Sequence, residues 1–316
     1  MSTTSAATVL GRSALGAVGV GAACLAYASL YEVRAFVLRR VVVPILPAGA
    51  GPVRVLQISD LHLTPGARAR QEWVAGLAAL EPDLVIDTGD NLAHPEAVPY
   101  VLRSLGRLLE VPGVFVWGSN DYYAPTFKNP LSYLTRPSEP RRMTKQELPW
   151  RDLGAGFERA GWTDLTHRRT TLQIQGVRIG LCGTDDGHLR LARYAEVAGP
   201  VDRDAVDVSL AVTHAPYLAL LDPMAADGHD LIVAGHTHGG QVCVPGYGAL
   251  VTNCDLDPKR VKGLSQHTSG GHTSWLHVSA GLGTSPYTPV RFACRPEATL
   301  LTLVAVDDAD PAPLMG

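Results

Sequence analysis

Lysine is scarce in this 316-residue chain: only Lys128, Lys145, Lys259 and Lys262 occur, and Arg supplies the rest of the positive charge. We read that bias, with the abundance of Ala and Gly, as genome composition. The formal net charge of -3 leaves no excess of cations for a nucleic-acid surface. Cysteine is sparse too. Cys24, Cys182, Cys243, Cys254 and Cys294 form no CxxC pair and no regular spacing. That excludes a zinc-thiolate site and a disulfide framework, and reads as small buried hydrophobes. No internal repeat is visible. What is present is a composition of 46% apolar and 18% charged residues, enough for a sizeable core in one large domain or two small ones.

Residues 14–31 form an 18-residue stretch without charge, rich in Ala, Val, Gly and Leu and closed by Glu32. About 20 apolar residues span a bilayer, so the run is just long enough for an anchor, with 33–38 continuing it. Arg12 precedes it and Arg34, Arg39 and Arg40 follow. The heavier basic flank lies downstream, which places the following domain on the cytoplasmic side. The alternatives are a cleavable signal peptide, with Ala26-Tyr27-Ala28 as the cleavage site and export as the consequence, and a buried soluble helix. No Arg-Arg pair precedes the run, so twin-arginine export is not indicated. Residues 41–52 read as a linker.

From Val53 onward, β-rich runs alternate with helical patterns. Strands are expected at 53–58, 84–87, 114–117, 177–182, 208–213, 231–234, 276–279 and 299–304, several of them continuous apolar runs suited to strands covered on both faces. Helices are expected at 69–80, 96–109 and 217–225. The expected architecture is α/β: two packed sheets flanked by helices, preceded by a transmembrane helix. The domain plan is an anchor and linker over 1–51, a catalytic domain over 52–306 and a tail over 307–316. Residues 122–152 break the rhythm and read as a cap-like insertion facing substrate. Residues 265–274 read as a surface loop.

Motifs follow the expected strands, at the sheet edge where ligands bind in α/β folds. They are Asp60-Leu61-His62, Gly89-Asp90-Asn91, Gly118-Ser119-Asn120-Asp121, Thr213-His214-Ala215-Pro216, and Gly235-His236-Thr237-His238-Gly239-Gly240-Gln241. Singly, most have plain structural readings: Asp caps helices, Gly-Ser-Asn-Asp makes turns, and a lone His ends many strands. The His-X-His hemmed by glycines is the most specific. Asp87 reads as structural. Together the motifs offer O and N donors without thiolates, a mix suited to Mn, Fe or Zn.

In this order (DLH, GD, GSND, HAP, GHTH) the motifs resemble the calcineurin-like metallophosphoesterase superfamily over roughly 53–303. The extended GHTHGGQ, with VPGYGALVTN and GLGTSPYTPVRFACRPEATLLTL after it, resembles that superfamily's membrane-associated bacterial branch. The resemblance implies a phosphoesterase holding two divalent metal ions. Asp60, His62 and His238 would hold the first, Asp90 would bridge, and His214, His236 and an Asn would hold the second, with a metal-bridging hydroxide attacking phosphorus.

One motif departs from the family, which has Asn then His where this chain has Ser119 then Asn120. We place Asn120 as the ligand, which leaves Asp121 at the position of the missing His. Asn120 and Asp121 are therefore the catalytic candidates, with His188 and His94 as other proton sources. Asp185 and Asp186 are candidates for orienting ligand histidines, and Arg291 for contacting phosphate. The expected partners are a phosphate-ester substrate, lipid-linked if the anchor holds the site near a bilayer, and the bilayer itself. A catalytically impaired metal-binding sensor of phosphate or lipid is the alternative; a mononuclear iron oxygenase would leave Asp90 and His214 without a role.

Overall fold

The computed structural model describes residues 16, 18–126 and 146–307. Most of the cap-like insertion expected at 122–152, and nearly all of the expected tail, lie outside the described residues.

Two six-stranded sheets form the centre. The first contains β1 (Val37–Leu46), β2 (Val53–Ile58), β3 (Leu84–Asp87), β4 (Gly113–Phe115), β5 (Thr163–Asp164) and β14 (Glu297–Ala305), in the order β1-β14-β2-β3-β4-β5. The second contains β6 (Arg168–Ile174), β7 (Val177–Gly183), β8 (Val208–Val212), β9 (Leu231–Ala234), β12 (Gly263–Ser269) and β13 (His272–Val278), in the order β12-β13-β9-β8-β7-β6. A small hairpin, β10 (Cys243–Val244) and β11 (Gly248–Ala249), stands apart. β2 to β5 run parallel, as do β7, β8, β9 and β13.

The layers follow from which faces are apolar. Val55, Leu84, Ile86 and Val114 of the first sheet pack against Ile179, Leu210, Val212 and Val233 of the second. The outer face of the first sheet is covered by the helices Arg68–Gly76, Val98–Leu105 and Trp150–Arg159, through Val74, Val101, Leu105 and Phe157. The outer face of the second is covered by Leu218–Ala226, through Leu221, Met224 and Ala225. Strands 84–87, 208–212 and 231–234 are buried along their whole length, which is why they read as unbroken apolar runs.

Three expectations are corrected. The supposed linker 41–52 holds most of β1, whose residues Val37–Leu46 pair in parallel with the C-terminal strand β14. The sheet therefore begins before residue 52. The supposed surface loop 265–274 is a hairpin, β12 paired antiparallel with β13 from Gly263↔Val278 to Ser269↔His272. Strand β6 at the sheet edge was not expected at all. At the N-terminus, residues 18–26 are helical and pass into a π-turn at Tyr27–Tyr31. Among the described residues no helix is long and apolar enough to cross a membrane; residues 14, 15 and 17 of the expected span lie outside them. The described segment is tied to the domain by Glu32, whose buried carboxylate accepts from the backbone N–H groups of Ala293 and Cys294.

Candidate metal centre

The parallel strands all deliver their C-terminal loops to one edge. Asp60 and His62 follow β2, Asp90 follows β3, Asn120 follows β4, His214 follows β8, and His236 and His238 follow β9. These side chains meet. His62 Nε2 lies 3.3 Å from His238 Nε2, and His238 Nε2 lies 3.6 Å from Asp60 Oδ1. His214 Nε2 lies 3.2 Å from His236 Nδ1. Asp90 stands between the two groups, with Oδ2 3.5 Å from His62 Nε2 and Oδ1 3.5 Å from His214 Nε2. Asp60, His62 and His238 form one set of mutually close donors, and Asp60, Asp90 and His214 another.

The donor set fits divalent cations. Asp60 Oδ1 is fully buried, faces imidazole nitrogens and has no hydrogen-bond partner. A buried carboxylate oxygen without a donor is costly unless a cation satisfies it. Three of the four imidazoles are held in the neutral state that ligates. Burial pushes His62 down to about 4, and pushes His236 and His238 well below the ordinary imidazole value. Burial would also depress His214, but the carboxylates of Asp90, Asp60 and Asp186 hold it up at about 9. Burial lifts Asp60 to about 6. Burial opposes the charge on Asp90 as well, yet His214, His62 and the Asn120 donors hold its carboxyl below the usual range.

The surroundings orient the ligands. His214 Nδ1 donates to the Thr88 carbonyl at 2.7 Å, leaving Nε2 to face Asp90. His236 Nε2 lies 3.3 Å from the Asn253 carbonyl, which turns Nδ1 toward His214. Ser59 Oγ donates to Asp60 Oδ2 and accepts from Thr88 Oγ1, and His236 N donates to the same Asp60 oxygen. None of Thr88, Asn253 and Ser59 was singled out from sequence. A hydroxyl or carbonyl carries no mark of its second role until the chain is folded. Asp87 is structural, as expected: its carboxylate accepts from Gly89 N and Asn91 Nδ2.

Asn120 reaches the cluster, its backbone N 2.7 Å from Asp90 Oδ1 and its amide end 2.7 Å from Asp90 Oδ2. Asp121, the other catalytic candidate, does not line the cavity over the cluster. It is fully buried below the loops, and its oxygens accept from the backbone N–H groups of Gly118, Asp90, Asn91 and Leu92. It clasps the Asp90 loop to the Asn120 loop. Asp185 and Asp186 do not touch the ligand histidines by hydrogen bond: Asp185 accepts from Tyr122 Oη and Asp186 accepts from His188 N and Leu189 N. Arg291 is turned away from the cavity and fully buried. It donates to the carbonyls of Ala280, Gly281, Gly283 and Cys294, and lies 3.4 Å from His238 Nδ1. His94 is bonded to Glu96 N outside the cavity.

A polar cavity of about 110 Å³ opens over the cluster, walled by Asn120, Thr126, His188 and Gln241. His188 packs on the ligand His236, ring centres 4.8 Å apart, and its Nδ1 lies 3.0 Å from Tyr217 Oη.

With this geometry in view, comparison with known proteins decides the family. The calcineurin-like phosphoesterase pattern matches residues 53–240, more than half of the chain. The chain belongs to the calcineurin-like phosphoesterase family. It is a metal-dependent phosphoesterase. Among its relatives, the uncharacterized protein YpbG of Bacillus subtilis is 26% identical over 79% of this chain and 84% of its own length. The phosphodiesterase YaeI of Escherichia coli is 26% identical over 81% of this chain and 83% of its own. The "transmembrane protein with metallophosphoesterase domain" of Bos taurus is 28% identical over 82% of this chain and 55% of its own.

Proposed function

We propose that the chain is a dinuclear phosphodiesterase attached to a membrane by its N-terminal segment. The observation that carries the dinuclear reading is Asp90, whose two oxygens each face a different ligand group. In this reading Asp60, His62 and His238 hold one divalent cation, Mn, Fe or Zn, and His214, His236 and Asn120 hold the other. Asp90 is shared. When bound, such a pair lowers the pKa of water and offsets charge on phosphoryl oxygens. The chain's own residues do the rest. The Thr88 and Asn253 carbonyls fix the imidazole orientations, and the Asp121 clasp holds Asp90 against Asn120. His188 is the imidazole on the cavity wall outside the ligand set, and supplies the leaving-group proton that the family's missing His would have given. Diester specificity is supported by the name of the relative YaeI.

Membrane attachment is supported by the exposed apolar side chains Val18, Val20, Leu25, Leu30 and Tyr31, and by the name of the Bos taurus relative. A catalytic domain on the cytoplasmic side is supported by the basic flank Arg34, Arg39 and Arg40. Orientation is tested by labelling Tyr287→Cys in intact and opened cells; equal labelling of intact cells would reverse it.

The main test measures metal content and turnover of bis(p-nitrophenyl) phosphate and p-nitrophenyl phosphate. Two metals per chain and faster diester cleavage are expected, with Asn120→Ala losing one metal. One metal per chain with full activity would refute the dinuclear reading. Retention of both metals by Asn120→Ala would remove Asn120 from the ligand set. His188→Ala should slow alkyl esters, whose leaving groups need a proton, by about 10²–10⁴, and p-nitrophenyl esters much less.

A further inference from the structure

A second and larger cavity, of about 330 Å³, adjoins the metal centre and shares His62 with it. One wall is Val33 and Phe36 of the N-terminal segment, the other Ala67 and Ala69, and Pro286 and Pro289 close it. The lining contains Arg34, Arg68 and Arg70 and no acidic residue. Arg70 is itself built in: its Nη1 donates to the carbonyls of Leu61 and His62, and its buried Nε has no hydrogen-bond partner.

From this we propose that the groove beside His62 is a subsite for the acyl tail of an amphiphilic phosphodiester, entered from a membrane surface. This rests on the phosphodiesterase reading and narrows its substrate class. The occupant follows from what borders the groove. At one end is the polar metal cavity, sized for a phosphoryl group. At the other is the segment preceding Val33, whose exposed apolar side chains Val18, Val20, Leu25, Leu30 and Tyr31 suit a hydrocarbon boundary. Glu32 pins that segment to the 293–294 backbone, so the wall is held in place beside the site. The groove sets its apolar side chains beside arginines and the hydroxyls of Ser29, Thr64 and Thr284, a mixed lining that complements an anionic headgroup linking the phosphoryl group to a hydrocarbon chain. A lipid would then pass from a bilayer to the metal centre along this groove, its tail against the apolar side chains and its phosphate drawn in by Arg70.

The test uses the full chain in phosphatidylcholine nanodiscs, loaded with Mn²⁺. p-Nitrophenyl phosphodiesters bearing an ethyl, an octyl or a thymidine group are compared. The octyl ester should show at least about tenfold higher kcat/KM than the ethyl ester, since each buried CH₂ adds to binding. Ala69→Trp and, separately, Ala69→Asp should bring that ratio toward one, with circular dichroism confirming that each variant folds. A flat response to chain length in the wild type, a ratio unchanged in both variants, or preference for the thymidine ester over the octyl ester would overturn the acyl subsite while leaving the phosphodiesterase reading intact. Failure to cleave even the ethyl ester would overturn the phosphodiesterase reading, and this inference with it.

Discussion

Adding one methyl group at Gly235 should cripple the metal centre. A Cβ there would collide with Ser59 Oγ and come within 2.8 Å of Asp60 Oδ2 and 2.9 Å of Thr88 Oγ1. Nothing flexible is in the way. All these groups are fully buried and bonded to one another, Ser59 to Asp60 and Thr88 to Ser59. Overpacking costs about 1–3 kcal/mol, and releasing Ser59 forfeits those two bonds at about 1 kcal/mol each. Gly235→Ala should therefore lose about 3–5 kcal/mol of stability on these terms. Asp60, which takes the thrust, should bind cation less tightly. Denaturant unfolding of the full chain, with Mn²⁺ and with chelator, separates the two effects. The loss in chelator reports packing. The metal-dependent increment, about 2.7 kcal/mol for a ligand at a hundred times its Kd, should shrink in the variant. Gly76→Ala is the control, since nothing lies within 4 Å of its added Cβ and the glycine ends a helix; it should gain up to about 1 kcal/mol. If Gly235→Ala unfolded at the wild-type midpoint and took up metal normally, the packing described around Asp60 would be wrong.

Asp90→Ala should abolish turnover of any aryl phosphate, because both ligand groups lose the shared carboxylate; wild-type kcat in a metal-loaded preparation would end the bridging assignment. Asp121→Asn sets an amide among backbone donors and should cost about 2–3 kcal/mol, read as a lowered unfolding midpoint with reduced metal uptake. Glu32→Gln keeps only one acceptor for the Ala293 and Cys294 amides, so hydrogen exchange at those two positions should accelerate while the core strands stay protected. Unchanged exchange there would mean that the N-terminal segment is not held by Glu32.

The ligand motifs were legible in sequence because each follows a short apolar run, and such runs announce strands buried on both faces. What was illegible depended on partners distant in the chain or on edges. Most of β1 falls in 41–52, which reads as a linker because prolines and glycines gather near its end, and only its parallel pairing with Glu297–Ala305 makes it a strand. β6 and β12 lie at sheet edges, and their exposed polar residues hide the strand pattern. Asp121 shows the same limit inside a motif: the letters mark an acid at the expected place, but not that four backbone amides already claim it.

The backbone at the centre adds a reason why local rules fail there. Asp60, His62, Asp90, His236 and His238 all have positive φ, between 41° and 70°. Asp60 and His62 thus reach a common centre from left-handed backbone and not from an extended segment. Non-glycine residues in the left-handed region cost roughly 1 kcal/mol or more each, and a local reading would put glycine at such turns. Glycine cannot ligate. The chain keeps the ligating side chains and accepts the strain, placing glycine next to them instead, at Gly89 and Gly118, where a Cβ on either would strike the backbone of the facing loop. Such conflict between local preference and fold is expected where function overrides stability. Here it falls on five of the seven residues assigned to the cations, which makes the strain itself a marker of the site, independent of the motif letters.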